Sequence, residues 1–243
     1  MAKLGTILQT VPAEIFTSSS TQQAVLGAYA ETPDGRGFRY VQNGDVAMVP
    51  GNVYQSSAEA TNHQALVIHP AVIGDTSVLV ALGATAALVD EYKDGFVIVT
   101  ANGSEGRKYG IIGHSAAAAS ATLTATLSEP IKATITANST VDLVRNPYRS
   151  VVVAPTTETG AVAGVALHNI TASEYGWLQT HGPAATLAET AVGVGLRVMR
   201  STSTAGSVGL GSGITADAEL QTIGYALTGI AASEFGAVYL QID

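Results

Sequence analysis

The sequence predicts an all-β protein with a larger antiparallel β domain, a small C-terminal β-barrel and an extended N-terminal arm. Three observations carry this. Apolar and polar residues alternate with a period of two in short runs, bounded by Gly, Pro, Asn and Asp. Helical periodicity is scarce: QAVLGAYAE is cut off by the turn at Pro33–Gly37, and SAAAASA at Ser115–Ala121 lacks an amphipathic face. The third is an echo. GVALHNITASEYG at Gly164–Gly176 returns as GYALTGIAASEFG at Gly224–Gly236, identical at eight of thirteen positions.

Residues 1–23 read as the arm. The segment is apolar at Leu4, Ile7, Leu8, Val11, Ile15 and Phe16, then enters the polar stretch SSSTQQ at Ser18–Gln23, which reads as a flexible joint. Residues 24–149 read as the β-rich domain. PDGRG at Pro33–Gly37 is a turn in which Pro presets φ and Gly accepts a positive one; FRYVQ, VAMVPGNVYQ, HQALVIHPAVI, SVLVALGAT, FVIVTANG and KYGIIG alternate after it. TLTATLSEP and TVDLVRNP have strict period two, each a half-buried strand. A break falls near Asn146-Pro147.

Residues 150–243 read as a compact barrel of about six strands, the mean length of a sheet. Each copy of the echo fits two strands joined by a bend: AVAGVAL with GWLQT, and TIGYAL with GAVYLQI. Gly176 and Gly236 would supply positive φ or close approach at the bends. Tyr175 and Phe235 would both pack inward, and the second hairpin would close the barrel and remove its sheet edges. The single Trp, Trp177, stands inside the first copy, with Ala237 as its counterpart.

Charge is sparse. Asp, Glu, Lys and Arg make up 12% of the chain, against about 25% in ordinary soluble proteins. A monomer of 24.7 kDa exposes about 10,000 Å². So few charges over that area point to a surface that partly faces protein, and a homotrimer is the expected assembly. The net charge of −8, with basic residues only singly or in pairs, argues against nucleic acid as a partner. No run of apolar residues is long enough to span a membrane, and MAKLGTILQTVPAEIF lacks a signal-peptide pattern, so synthesis in a cytoplasm is expected. Cys is absent, which leaves stability to core packing and assembly.

Chemistry-bearing patterns are weak. His114-Ser115, with Glu105 or Asp94, resembles a nucleophile and its base only in adjacency, and strand neighbours point to opposite faces. GLGSG at Gly209–Gly213 has its Ser in the wrong place for a nucleophile elbow. His63, His69, His114, His168 and His181 show no metal-ligand spacing. The acidic run Asp90–Asp94 lacks the alternating oxygens of a calcium loop and reads as a solvated turn. Asn102, Asn138 and Asn169 begin glycosylation sequons, which matter only in a secretory pathway. No catalytic, cofactor-binding or metal-binding residue is assigned and no cofactor is expected. The chain reads as a non-enzyme.

TPDGRGFRYVQNG, EGRKYGIIGHSAAAAS, VRNPYRSVVVAPTT and ASEYGWLQTHGPAA, in that order, resemble a family of β-rich head proteins of tailed bacteriophages, the capsid decoration or cement proteins. The resemblance extends from about Gly27 to Asp243. It implies a structural virion protein on the outer capsid surface, commonly a homotrimer, that binds the major capsid protein and stabilises the shell. A head-fibre or tail-associated virion protein that binds host glycans is the alternative.

Overall fold

The computed structural model describes residues 8–9, 14–210 and 220–243. Among them the strands are β1 (Leu8–Gln9), β2 (Tyr29–Glu31), β3 (Gly37–Gln42), β4 (Val53–Gln55), β5 (Leu66–Val67), β6 (Ser77–Ala81), β7 (Phe96–Ala101), β8 (Lys108–His114), β9 (Thr122–Leu127) and β10 (Thr140–Val144). β11 (Val152–Val153), β12 (Val162–Ala166), β13 (Tyr175–Leu187), β14 (Arg197–Arg200), β15 (Val208–Leu210), β16 (Thr222–Ala226) and β17 (Phe235–Gln241) follow. A single 3-10 turn, Glu14–Phe16, is the only helical element among the described residues. The protein is all-β and its sheets are predominantly antiparallel, as the alternation predicts.

The chain divides into two compact units, Glu59–Asn146 and the flanking pair of segments Met1–Ala58 with Pro147–Asp243. Glu59–Asn146 is a six-stranded sheet in the order β5-β10-β7-β8-β9-β6. A bridge between Ile68 and Val80 brings the two end strands together, so the sheet is nearly a closed barrel. Alternation builds its core. In β9, Leu123, Ala125 and Leu127 point inward while Thr122, Thr124 and Thr126 face solvent. Val78, Val80, Val97, Val99, Tyr109, Ile111, Val141 and Leu143 complete the same cluster.

The other unit is an eleven-stranded sheet that curves as a half-barrel. Its spine is β13. The first half of β13 pairs with β3 and β12, and the second half, His181–Leu187, pairs with β17.

The echo is the visible part of a larger duplication in this unit. In the first hairpin Val165 faces Gln179 and Ala166 faces Leu178; in the second Tyr225 faces Tyr239 and Ala226 faces Val238. The register is the same in both. The partner strands repeat too. Val53 and Tyr54 face Val165 and Gly164, just as Arg197 and Val198 face Tyr225 and Gly224. Each pairing then carries an irregularity at the same place, Gln55 opposite Val162 and Met199 opposite Thr222. Next, β11 lies on β4 as β15 lies on β14. The core repeats accordingly. Met48, Tyr54, Val151, Ala163, Ala166, Ile170 and Leu178 in one cluster correspond to Val192, Val198, Val208, Ile223, Ala226, Ile230 and Val238 in another. β13 serves both copies. In the first copy, the chain between β4 and β11 contains the barrel Glu59–Asn146; in the second, β14 and β15 are joined by Ser201–Ser207 alone.

Several expectations change here. The domain boundaries expected at 23/24 and 149/150 give way to Ala58/Glu59 and Asn146/Pro147, because β3 and β4 pair with β13 and β12, which lie over a hundred residues later in the chain. The nearly closed barrel is the middle segment, and residues 150–243 form part of the half-barrel. Of the arm, residues 1–7 and 10–13 lie outside the described residues. Leu8–Gln9 pairs with β2. Glu14–Gln23 lies on the half-barrel: Ile15 is fully buried with Leu26, Phe38, Tyr40 and Trp177. Ser19 exchanges both backbone hydrogen bonds with Tyr175, which ties down the expected joint. Residues 211–219, which include the end of GLGSG, also lie outside the described residues.

At the bend of each hairpin the glycine has the second of its two expected roles, close approach. The positive φ falls on Ser173 and Ser233, at 64° and 63°. Gly176 and Gly236 are needed for close approach: a Cβ would stand 2.6 Å from Ile170 and 2.4 Å from Ile230. Tyr175 is half-buried, but Phe235 is 56% exposed, with its ring against Gly51. Truncating Phe235 therefore removes a surface contact and not a core ring.

Candidate functional site

Three features stand out as places where something could bind. The first is apolar surface. In the half-barrel, the pseudo-equivalent loops before β4 and β14 expose Val46 and Val49, and Val194 and Leu196. In the barrel, Val72, Ile73, Leu88, Val89 and Ile112 are more than half exposed, Leu88 at 73%. The outer row of β9, Thr122, Thr124 and Thr126, faces Ala81, Leu79 and Ser77 of β6, a strip without charge.

The second is a cleft of about 330 Å³ between the Glu14–Gln23 segment and strands β3 and β13. Its floor is aromatic. Tyr40 meets Trp177 edge-on at 5.0 Å between ring centroids and lies nearly parallel to Tyr175 at 6.2 Å. Its rim is polar: Glu14, Thr17, Ser18, Ser19 and Gln23. The Gln23 backbone N–H donates to the Tyr40 hydroxyl at 2.9 Å, and the Ser18 hydroxyl donates to Glu174 at 2.6 Å. Burial pushes the Tyr40 hydroxyl above its ordinary value, which keeps it protonated.

The third is a polar cleft of about 400 Å³ that includes Tyr29, Glu31, Arg39, His181 and Asp243. Its charges are mostly matched internally. Arg39 pairs with Asp243 at 2.8 Å and lies over the Tyr29 ring at 5.0 Å, and His181 meets the Tyr239 hydroxyl at 3.2 Å.

The residues singled out in the sequence do not converge. Among the described residues no group of three or more His, Asp or Glu is placed to hold a metal ion. His114 Nε2 accepts the Tyr92 backbone N–H at 2.9 Å, so its proton sits on Nδ1 and is donated to the Ser115 carbonyl at 2.9 Å. Both ring nitrogens are thereby used, and neither is aimed at the exposed Ser115 hydroxyl. Asp90 accepts the His114 backbone N–H, and Glu105 accepts the Gly103 N–H on the far turn. His168 packs edge-on against Phe16, and burial holds its imidazole below the ordinary value, against a smaller opposing pull from the Thr17 backbone.

The run Asp90–Asp94 is a turn as expected, but Tyr92 within it is fully buried. Its hydroxyl donates to His63 Nδ1, whose Nε2–H donates to the Thr85 carbonyl at 2.9 Å. Burial and the neighbouring Glu91 raise the Tyr92 hydroxyl far above its usual range. Tyr92→Phe keeps the ring but leaves His63 Nδ1 buried without a donor. The expected cost is about 1–3 kcal/mol, seen as a lower melting temperature. An unchanged melting curve would show that the buried hydroxyl contributes nothing.

Compared with known protein families, curated proteins and solved structures, the chain matches none.

Proposed function

We propose that the chain is a structural virion protein that decorates and stabilises a tailed-phage capsid from the outside, as a homotrimer bound to the major capsid protein. The observation that carries this reading is the exposed aliphatic surface on strands and loops with few charges. Val46, Val49, Ile73, Leu88, Val89 and Val194 each stand half or more in solvent, in a chain with 12% charged residues. Apolar surface of this kind is what protein interfaces cover. A β-rich body without cysteine, and with a net charge of −8, suits a shell's outer face, away from the packaged nucleic acid. The order of motifs, which resembles that of decoration proteins, points the same way.

The test is association. Light scattering on the purified chain at micromolar concentration is expected to give three times the 24.7 kDa chain mass. Mixed with undecorated capsid shells of its phage, the protein is expected to sediment with them. A stable monomer that stays in the supernatant would overturn the proposal.

A further inference from the structure

We propose that the cleft between Glu14–Gln23 and strands β3 and β13 is a binding site for an uncharged saccharide. The chemistry of its lining selects the ligand. Among the described residues no Lys, Arg or His lines it, so none of them compensates a phosphate, sulfate or carboxylate. What lines it is an aromatic floor with a rim of hydroxyls, one amide and the Glu14 carboxylate. That combination suits a sugar ring, which offers an apolar C–H face to aromatic carbon and hydroxyls to polar groups placed around it.

The duplication supplies an independent argument. Tyr40 faces Trp177 across β3 and β13, and the matching pair in the second copy is Ala185 facing Ala237. Tyr175 corresponds to Phe235. The second copy therefore keeps the same register with alanine at two of the three floor positions. The sheet does not require Tyr40 and Trp177; only the copy that forms this cleft carries them. Packing against Ile15 is the competing reason for these rings, and the experiment separates the two.

Trp177 is the only Trp in the chain and is 9% exposed, so its fluorescence reports on the cleft alone. The full chain is titrated with triacetylchitotriose, lactose and 3′-sialyllactose. At least one neutral sugar is expected to shift the emission saturably below about 10 mM. Sialyllactose is expected to bind more weakly than lactose, because it brings a carboxylate toward Glu14. Tyr175→Ala and Gln23→Ala are each expected to weaken the response about tenfold. Gln23→Ala spares the core, so it remains informative if Tyr175→Ala does not fold. Phe235→Ala, outside the cleft, is expected to leave the response unchanged. No response to either neutral sugar, tighter binding of sialyllactose, or full binding in folded Tyr175→Ala and Gln23→Ala would overturn the proposal. Such a failure leaves the capsid reading standing, since sedimentation with shells tests that separately.

Discussion

Replacing Gly224 with Ala is expected to destabilise the half-barrel by about 3 kcal/mol or more, at the upper end of overpacking costs. The cause is geometric. Gly224 lies in β16 where the pairing with β14 slips past Met199, and there the strand presses on β17. A Cβ would stand 1.9 Å from the Tyr239 carbonyl oxygen and 2.8 Å from its carbon. The obstacle is backbone, so no side-chain rotation relieves it, and the β16–β17 ladder must part. Gly164, the counterpart in the first copy, has the same problem: a Cβ there would meet the Leu178 Cβ at 2.7 Å and the Gln179 oxygen at 2.9 Å, on a backbone with φ at 150°. The two substitutions should therefore behave alike. Gly229 is the control. It sits in the second hairpin with open space around it, and Gly229→Ala should stay within about 0.5 kcal/mol of the parent. Thermal melts of the three variants check this. For a chain of this size about 3 kcal/mol corresponds to roughly 6–12 °C. A Gly224→Ala melt equal to that of Gly229→Ala would show that the two strands are not packed this closely.

The fold class was legible because alternation is local: TLTATL announces its own inward and outward faces, and the burial of β9 follows it residue by residue. The echo was legible for the same reason, and it located two hairpins that do share one register. What lay beyond reach was pairing across distance. Nothing in GFRYVQ says that it pairs with a strand beginning at Tyr175. The rest of the duplication is equally silent in sequence, since Met48 matches Val192, and Tyr54 matches Val198, only through register. Without that information the first copy looked like part of a neighbouring domain. Tyr92 was missed because four charged neighbours disguise a fully buried ring. Phe235 was misplaced because a strand's first residue can face either side, and its outward turn over Gly51 depends on a loop far away in the chain. As for the cleft, Trp177 stands out in the sequence as the single Trp, but Tyr40 and Gln23 meet it only through the β3–β13 pairing.

The duplication also makes the barrel Glu59–Asn146 an addition to a frame that exists without one in the second copy. Excising it should leave the half-barrel folded, as insertions at loops generally permit. The second copy sets the loop length. Ser201–Ser207 joins β14 to β15, with Arg200 matching Ser56 and Val208 matching Val151. Removing Glu59–Asn146 leaves Ser57 and Ala58 before the cut and Pro147–Ser150 after it. One added Gly between them restores the length of the second copy's loop. Tyr148, which packs beside both small core clusters of the half-barrel, stays in place. Loss of the barrel should abolish whatever attachment its exposed Leu88, Val89 and Ile112 provide, while the cleft at Trp177 remains. Amide hydrogen exchange on this excised chain tests the account most directly, because it reads each strand separately. The expected result is that Val41, Ala166, Leu178 and Val238 in β3, β12, β13 and β17 stay as protected as in the full chain. Rapid exchange throughout β4, β11 and β12, with protection confined to the second copy, would contradict it.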